Sequence, residues 1–285
     1  MAQDLRNIKE LLTTATGTQG TLLIPRKIYD TIIDEAAKAL IPRSEAGWYF
    51  GPGDIPGSSI DLNLMSENTL ATRLVAEAGE IPIDAVAYTN QNIRPLKYGL
   101  AVRITRELLE DSKWNLLQHN LMIAGRRFAE RENRLWVAAL DGGANTVSGG
   151  AAVSVPNIVR AMQFLEDAGD KTPTTYAVGM EVLADLRTTD LFTDFQRIGN
   201  TDMLTKGFLG NIFAMNVMKV STQAGMTATT SYIFDRNFAV AIAEKRAITV
   251  ENFELPTYDM SGAVVTQRIA IAAVRTNAIA IITSS

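Results

Sequence analysis

The spacing of hydrophobic and polar positions changes several times along the chain, and each change predicts an element. Leu5, Ile8, Leu11 and Leu12 recur at helical spacing before the Thr/Gly run TTATGTQGT breaks the pattern. A second helix follows Pro25, with Ile28, Ile32, Ile33, Ala36 and Leu40 on one stripe ended by Pro42. Two readings of this region stand side by side. It is either a pair of surface helices on their own core or an arm lying on a neighbouring subunit. WYF at 48–50 reads as a short buried strand.

From Gly51 to Asn90 no helical stripe appears, and Gly51, Pro52, Gly53, Pro56, Gly57 and Pro82 punctuate the segment. Two extended runs, IDLNLM and RLVAEAGEIPIDAVAY, predict a long two-stranded excursion. Its charges are one-sided, with Arg73 against Asp54, Asp61, Glu67, Glu77, Glu80 and Asp84. Apolar residues such as Leu62, Leu64, Leu74, Ile81 and Ile83 argue against disorder. A two-stranded ribbon is not stable alone, so a neighbouring chain is the natural support.

LKYGLAVRIT at 96–105 alternates as a strand and passes through ELLEDS into the strongest helix, about Leu116 to Leu140. Leu117, Leu121, Ala124, Phe128, Leu135 and Ala139 form its apolar face. Arg126, Arg127, Glu130, Arg131, Glu132 and Arg134 give a charged flank with pairs such as Glu130–Arg134. At 1.5 Å per residue the helix spans roughly 35–40 Å, the length of a strut, and it stops at Asp141-Gly142-Gly143. After a loop, GANTVSGGAAV, the pattern becomes mixed. VPNIVRAMQFLEDAG and MEVLADLRTTD read as helices, and TTYAVGM as a strand. Short strands follow around FLGNIFAMNVMKV and TSYIFDRNFAVAIAEK, and AITVENFEL, GAVVTQRIAIAAVR and NAIAIITSS are strand-like throughout.

Composition narrows the chemistry. The 285 residues, 47% hydrophobic, suffice for one large domain or two intimately packed ones. A net charge of −4 argues against a protein that coats nucleic acid through a basic face. Without cysteine there are no disulfides, thiolate sites or Cys nucleophiles, and the sole histidine, His119, sits in a helical stretch. Zinc, haem and Ser-His-Asp chemistries lose their usual ligands and bases. The N-terminus carries acids early and no apolar run of signal-peptide length, and the apolar stretch from Ile269 to Ile282 is too short and too polar to span a membrane.

No nucleotide-binding or hydrolase motif is complete. GNTDMLTKG at 199–207 lacks the second glycine before its lysine and the Ser/Thr after it. The acids Glu107, Glu110 and Asp111 read as helix-start charges opposing the dipole rather than as a catalytic set. On the long helix, interleaved Glu130 and Glu132 cancel much of the arginines' field, which points to an intermolecular or solvated face.

The order of elements carries a resemblance. VAEAGEIP at 75–82, NIRPLKYGLAVRITRELLEDS at 92–112 and LWVAALDGG at 135–143 resemble, in order, three motifs of the major capsid proteins of tailed bacteriophages. Those motifs close a hairpin, lead into a spine helix and end it. KGFLGNIFAMNVMKVS and IFDRNFAVAIAEKRAITVE resemble two further segments. The fold that this resemblance implies is the Hong Kong phage-type shell fold, shared with encapsulins. Thr105 stands where the family's second motif usually has Ser, and the tryptophan-containing N-terminus of encapsulins is not matched.

The resemblance implies an α+β, two-domain capsid-type fold. Residues 1–45 would form an N-terminal arm and helix. Residues 46–52, 91–140 and 236–275 would form a peripheral (P) domain with the spine helix, 53–90 an extended E-loop, and 141–235 with 276–285 an axial (A) domain. It implies a structural protein, not an enzyme, that assembles with itself as pentamers and hexamers into an icosahedral shell around double-stranded DNA. It implies a location in the virion, assembly in the host cytoplasm, a separate scaffolding protein, a portal and a cement protein, with no cofactor, metal or membrane. The candidate inter-subunit contacts are Leu5 and Ile8 of the arm, Leu62, Leu64, Arg73, Glu77 and Glu80 of the hairpin, and Arg126, Arg131 and Arg134 of the spine helix. An encapsulin-like compartment is the nearest alternative. An α/β hydrolase is the other, and it requires two convergent carboxylates in a pocket.

Overall fold

The computed structural model describes residues 41–188 and 211–284, apart from 42, 66–71, 76, 78, 82, 106, 108–115 and 168–170. The helices expected before Pro42, the acids Glu110 and Asp111 and the segment 199–207 lie outside the described residues, as do Leu5 and Ile8.

Two sheets and one hairpin organise the described chain. The first sheet runs β1 (Trp48–Phe50), β10 (Val240–Leu255), β11 (Met260–Ala273), β4 (Leu96–Thr105). The second runs β5 (Asn145–Gly150), β12 (Ile279–Ser284), β9 (Thr230–Phe234), β6 (Thr175–Val178), β8 (Met215–Lys219), β7 (Asn211–Ile212). β2 (Ile60–Met65) and β3 (Tyr88–Ile93) pair only with each other. The helices are α1 (Leu116–Leu140), α2 (Val155–Asp167) and α3 (Met180–Thr188).

The long ribbon β10–β11 pairs from Val240↔Ala273 to Leu255↔Met260 and is the spine of the first sheet. Period-two alternation sends Ile242 and Ile269 towards α1, where they pack with Trp136 and Leu140. The opposite alternates, Ala241 and Ala243, meet the hairpin root. The second sheet is covered on both faces. Tyr176, Ile233 and Ile282 meet Ile158, Leu165, Val182 and Leu186 of α2 and α3, while Phe234 and Ile279 turn to the core beneath α1. Hence every residue of β9 is buried and TSYIF shows no alternation of exposure. The chain crosses from β9 to β10 at buried Asp235, whose carboxylate accepts from the Thr172 and Asn237 amides.

Most expected elements appear, with four corrections. The strand that returns from the excursion is YTNQNI, 88–93, whereas residues described between 72 and 87 form no strand. GANTVSGGAAV contains β5, a strand made by parallel pairing with β12 from Ala280↔Asn145 onward. WYF is a strand, but Tyr49 is exposed on this edge position of the sheet. Glu130 pairs with Arg127 at 2.7 Å rather than with Arg134, whose Nε–H reaches the Gln223 carbonyl at 3.4 Å.

Candidate functional site

Three features stand apart from ordinary core packing. The first is the hairpin. β2 and β3 pair in register from Ile60↔Ile93 to Met65↔Tyr88. Its root is rooted in the body: Ile55, Leu62 and Ile93 are buried against Ala241, Ala243 and Val274, with Leu64 half-buried beside them. The Gln91 side chain donates to the Ala273 carbonyl and Lys245 to the Gly57 carbonyl. The expectation of a coreless hairpin therefore fails at the root and holds at the tip. There Leu74 is 103%, Ile81 74% and Ile83 98% exposed, and the Arg73–Asp84 ion pair, at 3.1 Å, links the two sides. Glu77 and Glu80 are exposed on the same tip.

The second feature is a partly buried charged cluster. The Arg43 guanidinium meets the Glu132 carboxylate as a fork, 2.7 and 2.9 Å, and also donates to Glu244 at 2.9 Å. Glu132 and Glu244 are buried, on α1 and β10 respectively. Gln267 donates to both, at 3.4 and 3.3 Å, and the Tyr49 hydroxyl donates to Glu244 at 2.5 Å. Burial alone would lower the Arg43 pKa, but the Glu132 and Glu244 carboxylates outweigh it and raise it. Burial, and then the bond to Glu244, push the Tyr49 phenol up to about 12. These are two convergent carboxylates, as a hydrolase would need. Their oxygens, however, are occupied by protein donors, so the pair fastens the fold instead of facing a substrate.

This cluster fixes where residues 41–48 join the body. Next to Arg43, the Ile41 amide donates to Asn133 Oδ1 at 2.9 Å, and buried Glu45 accepts from Thr175 of β6 in the second sheet. At Gly47 a Cβ would lie 2.4 Å from the Asn237 carbonyl oxygen, so the close passage admits only glycine.

The third feature is the outer face of α1. Arg126, Arg127, Arg131 and Arg134 are exposed along it with His119 and Ile123. Arg131 stacks over the Tyr98 ring at 4.6 Å. Glu132, expected to dilute this field, points inward to Arg43. At its C-terminal end α1 is tied down where the sequence placed its stop: Asp141 accepts from the Tyr232 hydroxyl, and a Cβ on Gly143 would lie 2.8 Å from Ile279 Cγ2.

The structure thus divides the sequence-derived contact residues. Leu62 and Leu64 serve the hairpin root, Arg73, Glu77 and Glu80 lie at its tip, and Arg126, Arg131 and Arg134 share one exposed helix face. Sequence reasoning missed Arg43, Glu244 and the inward turn of Glu132. The last had a signal, since Glu132 stands one helical step from both Phe128 and Trp136, on the buried side of α1. Among the described residues no group of three or more His, Asp or Glu is placed to hold a metal ion. None of their helices is long and apolar enough to cross a membrane.

A family model described as phage capsid protein matches residues 88–283. A comparison with curated protein sequences returns no match. Among solved structures, that of Mycobacterium phage Che8 is similar at a TM-score of 0.67 with 13% identity, covering 87% of this chain and 90% of that one. The asymmetric unit of the bacteriophage PhiM1 mature capsid is similar at 0.66 with 10% identity, covering 86% and 87%. A virus-like particle from Pyrococcus furiosus is similar at 0.59 with 13% identity, covering 90% and 98%.

Proposed function

Since this chain belongs to the phage capsid protein family, we propose that it is the major capsid protein of a tailed phage. In this reading it closes an icosahedral shell from pentamers and hexamers around double-stranded DNA, as a structural component without catalytic activity. The hairpin carries the reading: it is anchored at Leu62 and Ile93 yet holds Leu74, Ile81 and Ile83 out in solvent. A monomer gains nothing from such a tip, whereas a neighbouring copy of the same chain would bury it.

The first sheet with α1 then serves as a peripheral domain, the second sheet with α2 and α3 as an axial domain, and residues 53–90 as the E-loop. Leu5 and Ile8 belong to an arm that lies on other copies. Such contacts between unlike patches are heterologous, and rings of them close only when the rotation closes. Scaffolding, portal and cement proteins are the further partners, assembly takes place in the host cytoplasm, and the virion is the final location.

Electron microscopy of the purified, expressed chain tests this. Closed, uniform shells support it, and a monodisperse monomer at high concentration defeats it. The similarity to the Pyrococcus furiosus particle favours one second reading, a compartment loaded with protein cargo. Particles from the native source that hold protein and no DNA would decide for it.

A further inference from the structure

We propose that the exposed face of α1 is a contact surface for nucleic-acid phosphates, formed by Arg126, Arg127, Arg131 and Arg134. The inference rests on the reading of the chain as a shell around DNA and deepens it by naming the surface that meets the enclosed polyanion.

In the sequence this helix looks balanced, because glutamates interleave with its arginines. In the structure the balance disappears. Glu132 is only 2% exposed and is spent on Arg43, leaving Glu130 as the acid on the outer face of the described helix. Arg127, Arg131 and Arg134 less Glu130, which pairs with Arg127, leave two excess positive charges on one face of a chain whose net charge is −4. Arg127, Arg131 and Arg134 follow one another at successive helical steps and span about 10 Å. Tyr98 beneath Arg131 orients one guanidinium, and the Gln223 carbonyl orients another.

The chemistry of the face favours phosphate over a protein partner. Protein interfaces are anchored by large apolar or aromatic groups at their centre. Ile123 is the one exposed large hydrophobic on the described part of α1, whereas the hairpin tip offers Leu74, Ile81, Ile83 and Tyr88. Every cation is arginine, whose planar fork matches phosphate oxygens in pairs. So small an excess of charge gives weak, sequence-independent binding in one subunit, and a shell multiplies it by its many copies.

The test measures binding of the full-length, unassembled chain to a fluorescent 30-base-pair duplex from about 20 mM salt upward. Three phosphate contacts at about 0.9 each predict a log K against log salt slope near −3. The variant R127Q/R131Q/R134Q should bind at least tenfold more weakly at the lowest salt with a slope near zero. R127K/R131K/R134K should keep most of the slope, and matching circular dichroism excludes misfolding. The inference is overturned if the unaltered chain shows no binding at about 20 mM salt, if the glutamine variant keeps its slope, or if polyglutamate competes better than duplex, which would assign the face to an acidic protein segment. Particle formation by the same variants is scored separately by microscopy. Shells with an unchanged duplex slope sink this inference alone, whereas failure of the unaltered chain to form shells sinks the functional reading.

Discussion

Arg43 and Glu132 stand 89 positions apart and meet through two parallel hydrogen bonds, Nε to Oε1 at 2.7 Å and Nη2 to Oε2 at 2.9 Å. The contact joins the segment leading into β1 to the middle of α1, and Glu244 extends it to β10. Removing the guanidinium strands two buried carboxylates, a defect that costs about 3–5 kcal/mol in buried ion pairs. Arg43 itself is 32% exposed, so water entering its place offsets part of that cost. R43Q should therefore destabilise the unassembled chain by about 2–4 kcal/mol in urea unfolding. R43M/E132L/E244L, which removes the charges together, should lose less. Equal stability of R43Q and the unaltered chain would show that the cluster contributes nothing.

The elements with strong local periodicity were legible, and those made by distant partners were not. β2, β4 and α1 occupy the spans their alternation and stripe predict, 60–65, 96–105 and 116–140. NTVSGG was hidden because its glycines and serine carry little strand preference. What makes it a strand is β12, more than a hundred residues later in the chain. YTNQNI was hidden because its residues are largely polar and exposed, and Ile93 alone is buried. The hairpin tip was legible as apolar residues without a core, while its anchored root was not, because Ala241, Ala243 and Val274 are far away in sequence. Arg43 and Glu244 likewise carry no local pattern, since 201 positions separate them.

The tyrosines set an alkaline limit. Burial pushes the Tyr176 phenol up to about 12, and the Tyr49 phenol is raised likewise. Tyr232 is also raised, by burial and then by donating to Asp141. An unfolded tyrosine ionises near pH 10. Below that pH both states keep the proton and the stability is fully present. Between pH 10 and 12 the unfolded chain ionises first, so stability falls as pH rises. For Tyr176 alone the shift is worth about 2–3 kcal/mol by pH 12. Urea midpoints at pH 9, 10.5 and 11.5 should decline steadily, and Y176F should decline less. A flat profile would contradict the buried placement of these hydroxyls.

In the proposed reading the hairpin tip serves assembly and not folding. Leu74, Ile81 and Ile83 touch little of their own chain, so L74S/I81S/I83S should change the stability of the unassembled chain by no more than about 0.5 kcal/mol. The same variant should yield no closed shells under the microscope. Deleting 66–87, which rejoins the paired ends Met65 and Tyr88, should act in the same way while sparing the buried root. Deleting 55–88 is a harsher cut, because it also removes Ile55 and Leu62 from their contacts with Ala241 and Ala243. Normal shells from either tip variant would remove the tip from the assembly contacts.

Covalent locking of the assembled particle is constrained by residue types alone. A weld between side chains by amide formation needs a primary amine that can lose its proton and attack a carboxamide. No lysine lies between Lys38 and Lys97, and Lys97 belongs to β4, past the point where the hairpin rejoins the body. Arg73, the basic residue of the tip, offers a guanidinium rather than a primary amine and is engaged by Asp84. Disulfide welding is closed as well, because the chain has no cysteine. In the proposed shell, burial of the tip and polar contacts then take the place of a hairpin-lysine weld. Particles boiled in detergent should run as one band near 31.0 kDa. A ladder of covalent oligomers would mean that a nucleophile other than a hairpin lysine forms the weld.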